Sequence, residues 1–359
     1  LENHEKAIEN YNKAIKINSD DDYNYFTRGL FYFYQDLDYL ALDDFNQALN
    51  KDPENLEYLF YKSQTLYSLN LFDQALQEIN KAILIDSTDF YALTLKLNIL
   101  NTLENYEAII SVISHGLNIF KTNNELSELY NFSGKMYLNL ENYSSSLLDF
   151  KKAIEYDNNY YEYYLNIANI YTIIKDYDKA LINYNKALSL DSENTDVLNQ
   201  RGLLFSLMDN HKKSEKDFNK SIKTDSNSTA VYFYKAKAHM IHNQLLKAEE
   251  DYLKTINIDP DDPEGYFYLA ELCTKEGKLF KAAKNYHNAI SKVKGGYYIS
   301  DDKGNKTLKF KLFLKIGDFY NKIGEQELMC DEYKEALKAA DGFPEKKKKI
   351  EELIKANCN

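Results

Sequence analysis

Apolar residues recur along this chain at spacings of three, four and seven, as at Tyr164, Ile167, Tyr171, Tyr177 and Tyr184. Those intervals place side chains on one face of an α-helix, not on alternate faces of a strand. The helical stretches are separated by breaks rich in Asp, Asn and Ser with occasional Pro, such as Lys51–Asp52–Pro53–Glu54–Asn55 and Asp259–Pro260–Asp261–Asp262–Pro263. Such breaks start and stop helices. The pattern therefore predicts a succession of short helices.

Small residues repeat on a longer period. Ala7, Ala41 and Ala75 are spaced by 34 residues, and so are Ser146, Ala180, Ser214, Ala248 and Ala282. Seven positions beyond these lie Ala14, Ala48, Ala82, Ala153, Ala187, Ser221, Thr255 and Ala289, and twelve positions before lie Gly29, Ser63, Gly134, Ala168, Gly202, Ala236 and Ala270. A small residue at a fixed point in each period marks where two helix backbones approach closely. Each unit is then a pair of antiparallel helices whose remaining apolar face must be covered by the next pair.

These units resemble tetratricopeptide repeats, whose pattern has an aromatic or Leu at position 4, small residues at 8, 20 and 27, aromatics at 11 and 24, and often Pro at 32. Residues 161–194 follow it nearly throughout, with Tyr164, Ala168, Tyr171, Ala180, Tyr184 and Ala187, and Ser192 in place of Pro. Full repeats are placed at 22, 56, 90, 127, 161, 195, 229, 263 and 310. The expected fold is an all-α, right-handed α–α superhelix occupying residues 1–359 as a single solenoid domain. Within it, 1–19 is a half-repeat, 22–294 holds eight repeats, 295–307 is an inserted loop, 308–341 is the last repeat and 342–359 is a capping helix. The repeat at 90–123 is degenerate, with Leu97, Ile109 and Gly116 at the small positions. The insertion GGYYISDDKGNKT carries a turn-like Asp302–Lys303–Gly304–Asn305 that predicts a protruding loop or short hairpin, with Tyr297 and Tyr298 as candidate contact residues. Pro344–Asn357 reads as an amphipathic cap with Ile350, Leu353 and Ile354 on one side.

Composition narrows the functional classes. The 359 residues include only 12 Gly and 4 Pro, which argues against glycine-rich phosphate loops. No run is long and apolar enough to cross a membrane. The net charge is −12 and the arginines are only Arg28 and Arg201, a poor basis for gripping nucleic acid. Three cysteines, Cys273, Cys330 and Cys358, leave an odd count without a CxxC; the expectation is inert thiols, a reducing compartment and a cytoplasmic location. His239 and His242 form the nearest approach to a metal pair, but no third ligand accompanies them in sequence and the other histidines are scattered singly. His239 falls at a packing position. No nucleophile, phosphate-loop or metalloprotease motif occurs. The chain is therefore expected to be non-catalytic, with no cofactor and no metal.

The resemblance implies that positions 2, 5, 9 and 12 of each first helix line a peptide-binding concave groove. In the first two full repeats these are Tyr23, Phe26, Leu30 and Phe33, then Glu57, Phe60, Gln64 and Tyr67, with Tyr91 next. Aromatic groove positions suit apolar anchoring of a peptide or helix. Further on come Asn98, Asn101, Asn131, Lys135, Asn169 and Asn199, a candidate amide ladder for an extended backbone. Phe233, Lys237, Met240, Phe267 and Glu271 return to mixed character. The carboxylate clamp that some members use for heat-shock chaperone tails is not expected, because no three consecutive repeats supply its converging Lys, Asn and Arg. The reading is a scaffold or adaptor for a protein or peptide partner, without nucleic acid and without membrane insertion. The alternatives are a structural subunit of a permanent assembly, or the substrate-recruiting arm of an enzyme whose catalytic domain lies outside this chain.

Overall fold

A computed structural model describes residues 2–294, 299–300, 306–307, 309–340 and 344–358. Within them the chain is a helical-repeat solenoid, as the pattern predicts. It divides into two compact units, Leu1–Asn142 and Tyr143–Asn359.

The first unit holds α1 (Glu2–Ile17), α2 (Asp22–Phe33), α3 (Asp38–Lys51), α4 (Leu56–Ser68), α5 (Phe72–Ile85), α6 (Phe90–Thr102), α7 (Tyr106–Ile119) and α8 (Asn123–Asn139). The second holds α9 (Tyr143–Tyr156), α10 (Tyr161–Ile173), α11 (Tyr177–Leu190), α12 (Thr195–Leu207), α13 (His211–Thr224), α14 (Thr229–Ile241), α15 (Leu245–Ile258), α16 (Pro263–Lys275), α17 (Leu279–Lys294), α18 (Lys309–Ile323), α19 (Gln326–Ala339) and α20 (Pro344–Asn357). In the first unit α1 precedes the packed pairs α2–α3, α4–α5 and α6–α7, followed by α8; in the second, α9 precedes the five pairs from α10–α11 to α18–α19, and α20 packs on α19. Between α17 and α18, β1 (Ile299–Ser300) and β2 (Lys306–Thr307) pair antiparallel with Ile299 opposite Thr307, so the insertion carries a short hairpin. Tyr297, Tyr298 and the turn at 302–305 lie outside the described residues.

The polar breaks act as helix starts. Asn55 accepts from the Glu57 and Tyr58 amides, and Asp89 from those of Tyr91 and Ala92. At α8, Thr122 and Glu125 cap each other reciprocally.

The turn inside every pair is the same device. Asp36, Asn70, Glu104, Glu141, Lys175, Asp209, Asn243, Gly277 and Gly324 all have positive φ, one per repeat at its fifteenth position. The following amide closes back onto the helix, as Leu71 N to Leu66 O and Asp176 N to Tyr171 O do. A side chain in this left-handed region costs free energy that glycine avoids. Lys175→Gly is therefore expected to stabilise the second unit by about 0.5–1 kcal/mol, and Gly277→Ala to destabilise it by about as much. Denaturant midpoints check both signs; equal midpoints would mean the turn relaxes freely.

The small positions are set by rings. A Cβ on Gly29 would lie 2.8 Å from the Phe45 ring, and one on Gly202 would lie 2.8 Å from that of Phe218. The ring at position 24 of the repeat, on its second helix, thus presses against position 8 on its first. In the degenerate repeat, Leu97 and Ile109 are instead buried with Leu93, Leu100, Ile113 and Phe120 in a cluster of their own.

Both arginines are consumed by the fold. Arg28 grips Asp44 through Nε (2.7 Å) and Nη2 (2.6 Å) and reaches Asn12 Oδ1 with Nη1 (2.6 Å). Arg201 does the same with Asp217 (2.7 and 2.8 Å) and Asn185 (2.7 Å). Each fork ties three successive helices, α1–α2–α3 and α11–α12–α13. Lys62 and Glu78 form a simpler version at the same repeat positions, 3.2 Å apart.

The cysteine expectation is corrected. Cys330 on α19 and Cys358, just past α20, form a disulfide across 28 residues of sequence, with Cα atoms 5.6 Å apart. The odd count hid this because Cys273 alone is left over, buried, with burial pushing its thiol above the ordinary range. Bonds of this kind persist in oxidising surroundings, so the pair runs against the reducing compartment inferred from the count.

Candidate functional site

The first helices of the repeats carry every predicted groove residue, and their surroundings sort them. In the first unit Tyr23 and Tyr91, both at position 2, are 61% and 76% exposed. Phe33, Phe60, Gln64 and Tyr67 are half-buried. Phe33 and Phe60 each set an edge against Tyr61, and the Tyr67 hydroxyl lies 2.9 Å from Thr102 Oγ1. The Tyr61 hydroxyl lies 3.4 Å from that of Tyr34; this bond and burial push it up to about 12. Leu30 packs on the cluster of Phe26, Ala41, Phe45 and Ala48.

Phe26 is a correction. It is only 2% exposed, with its ring centroid 4.5 Å from Tyr58 and 5.7 Å from Tyr61. The next repeat brings two tyrosines over position 5, so this phenylalanine is core and offers nothing to a ligand. Phe267 is corrected for the same reason: it is buried beneath Tyr286 and the Lys315 ammonium, 4.7 Å from its ring centroid.

The amide ladder is corrected in part. Asn98, Asn101, Asn131 and Lys135 belong to the first unit; Asn98 and Lys135 are exposed, while Asn131 has its Oδ1 buried. Asn169 and Asn199 belong to the second. Asn199 is fully buried with no side-chain partner, because α12 packs against both α10 and α14. Asn169 accepts from the Tyr184 hydroxyl at 2.7 Å, and burial pushes that phenol above its ordinary range. Neither amide is held out for a peptide backbone.

In the second unit positions 5 and 9 of one repeat meet position 6 of the next. Phe233 lies 4.6 Å from Tyr268, and the Lys237 ammonium sits 4.7 Å from the Phe233 centroid and 5.9 Å from that of Tyr268. One repeat on, Phe267, Glu271 and Lys315 repeat the triangle, with Lys315 Nζ 3.6 Å from Glu271. Tyr268 and Lys315 are not at the expected groove positions 2, 5, 9 and 12; both stand at position 6 of their repeats, which the helix stacking brings beside positions 5 and 9 of the repeat before. Apolar faces and ammonium groups are thus brought together on the first helices α14, α16 and α18, an arrangement suited to a segment with both apolar and acidic side chains.

His239 takes its packing position, with Nδ1 2.9 Å from Asp251 Oδ2. Among the described residues no helix is long and apolar enough to cross a membrane.

Comparison with a family model agrees with the repeat frame. A tetratricopeptide-repeat family model matches residues 1–21, 127–160 and 161–194, in the frame of the helix pairs. The matched segments identify the chain as one that carries tetratricopeptide repeats. No curated protein matches it in sequence. Among solved structures it is similar to YrrB, described as a tetratricopeptide repeat protein with an unusual peptide-binding site (19% identity, 53% of this chain and 97% of that one, TM-score 0.39). A tetratricopeptide repeat protein from Parabacteroides merdae shares 19% identity over 85% of this chain and 99% of its own (TM-score 0.41). The human IFIT1 dimer with PPP-AAAA shares 17% identity over 70% of this chain and 68% of its own (TM-score 0.47).

Proposed function

We propose that this protein is a non-catalytic adaptor that holds a peptide or helical segment of a partner protein along the first helices of its repeats. The observation that supports it is the exposure of Tyr23 and Tyr91. Both are large rings at the same repeat position, and neither is needed to fill the core. Apolar anchoring then rests on Tyr23, Tyr67 and Tyr91 rather than on Phe26, and the Phe233–Lys237–Tyr268 surface adds apolar and cationic contact.

The test is affinity purification with mass spectrometry at physiological salt, comparing wild type with Tyr23→Ala/Tyr91→Ala and with Lys237→Ala/Lys315→Ala. The tyrosine pair is surface-exposed, so its removal is expected to change stability by no more than about 0.5 kcal/mol. A protein recovered with wild type and lost with either double variant supports the reading. Recovery at wild-type level with both variants sinks it.

A second reading, a subunit of a permanent assembly, is favoured by Leu246 and Phe280. They occupy the same position on the second helices of adjacent repeats and are both exposed. In that case the same partners survive both variants.

A further inference from the structure

Two repeat turns meet in the second unit, and at their junction lie three ligating side chains that the sequence keeps apart. Asp209 is the left-handed residue of the α12–α13 turn, His211 is the first residue of α13, and His242 caps the end of α14 one repeat later. Their ligand atoms all lie within 4.8 Å of one another, a grouping found nowhere else among the described residues. Asp209 Oδ1 is 3.3 Å from His211 Nε2 and 3.9 Å from His242 Nδ1. The two imidazoles stand edge to face with centroids 4.3 Å apart.

The hydrogen bonding of His242 selects its tautomer. Its Nε2 lies 3.1 Å from the Ser206 carbonyl oxygen and 3.0 Å from the Ser206 hydroxyl. A carbonyl only accepts, so Nε2 carries the proton and Nδ1 presents its lone pair towards Asp209. A histidine whose far nitrogen is tied to a backbone carbonyl is the usual support for a metal-binding imidazole. A tetrahedral ion with bonds of about 2.0–2.1 Å holds its ligands roughly 3.3 Å apart, which the three atoms reach with small side-chain rotations. His211 and His242 also line a cavity of about 220 Å³ with Ser206, Glu215 and His239, leaving room for water to complete the coordination.

We propose that Asp209, His211 and His242 form a binding site for a divalent transition-metal ion of the zinc type. Two neutral imidazoles and one carboxylate are a borderline donor set, suited to Zn²⁺ rather than to Mg²⁺ or Ca²⁺, which prefer oxygen. The neighbouring junction shows what is special here. There Lys175, Tyr177 and Met208 take the same three positions, and they cannot form such a set. Bound metal would pin two consecutive repeats at their turns.

The test is calorimetric titration of chelator-treated protein with Zn²⁺ at neutral pH, and with Co²⁺ followed in the visible spectrum. One equivalent is expected to bind. Asp209→Asn and His211→Ala should each weaken binding by about tenfold or more, and His211→Ala should abolish the visible Co²⁺ bands. Asp209→Asn keeps a residue that tolerates the turn, since Asn70 and Asn243 occupy it elsewhere, and His211 is well exposed, so both variants fold. His287→Ala, a change at an exposed histidine outside the cluster, should leave the titration unchanged. No binding to wild type, or unchanged affinity in both Asp209→Asn and His211→Ala, overturns the proposal.

Discussion

Phe26→Ala is expected to destabilise the first unit by about 3–5 kcal/mol, the cost of emptying a ring from a closed core. The Phe26 side chain is enclosed by Phe45, Tyr58 and Tyr61, and the two tyrosines come from the next repeat. The loss therefore falls on the interface between repeats, and a solenoid depends on each such interface to stay paired. Phe60→Ala, at the same position one repeat later, removes a half-buried ring and is expected to cost about half as much or less. Urea unfolding followed by tyrosine fluorescence compares the two. Equal and small losses would place Phe26 at the surface, where a ligand could reach it.

Asp217→Ala is expected to cost the second unit about 3 kcal/mol, because it leaves the Arg201 guanidinium largely enclosed without its bidentate partner. Arg201→Met alone should be comparably harmful, since it strands the buried Asp217 carboxylate. The double variant Arg201→Met/Asp217→Ala should recover much of that loss, because an apolar replacement removes both desolvation penalties together. A double-mutant cycle by chemical denaturation measures the coupling. Strict additivity would show that the fork contributes nothing as a pair. The residual exposure of Arg201 and its bond to Asn185 are why the figure sits at the low end for broken buried pairs.

The repeat frame was legible because it is written locally. Ala41, Ala48, Gly29 and Gly202 are small where rings or backbones press on them, and this requirement recurs every repeat. Asn55, Asp89 and Thr122 cap helices through amides two or three residues away, an interaction within reach of sequence reading. The site was less legible because its residues face neighbours the periodicity does not specify. Position 5 is core at Phe26 and Phe267 but half-buried at Phe60 and Phe233, depending on which rings the next repeat supplies. Asn199 stands at a groove position of its repeat, but with α12 packed against α10 and α14 it is fully buried. Cys330 and Cys358 are ordinary in the sequence; they become partners only when α20 folds back on α19.

From the sequence alone came the succession of helix pairs, the place of the insertion as a loop or hairpin, and the amphipathic last helix. Helical period, caps and small contact positions are all short-range or strictly repeated constraints. The tertiary structure alone decided which aromatic rings stay at the surface, that both arginines bind within the fold, and that Asp209 and His211 meet His242. The rings and the Asp209–His211–His242 cluster depend on stacking one repeat against the next, and the arginine forks on packing the two helices of a pair, contacts that helical period and caps do not specify.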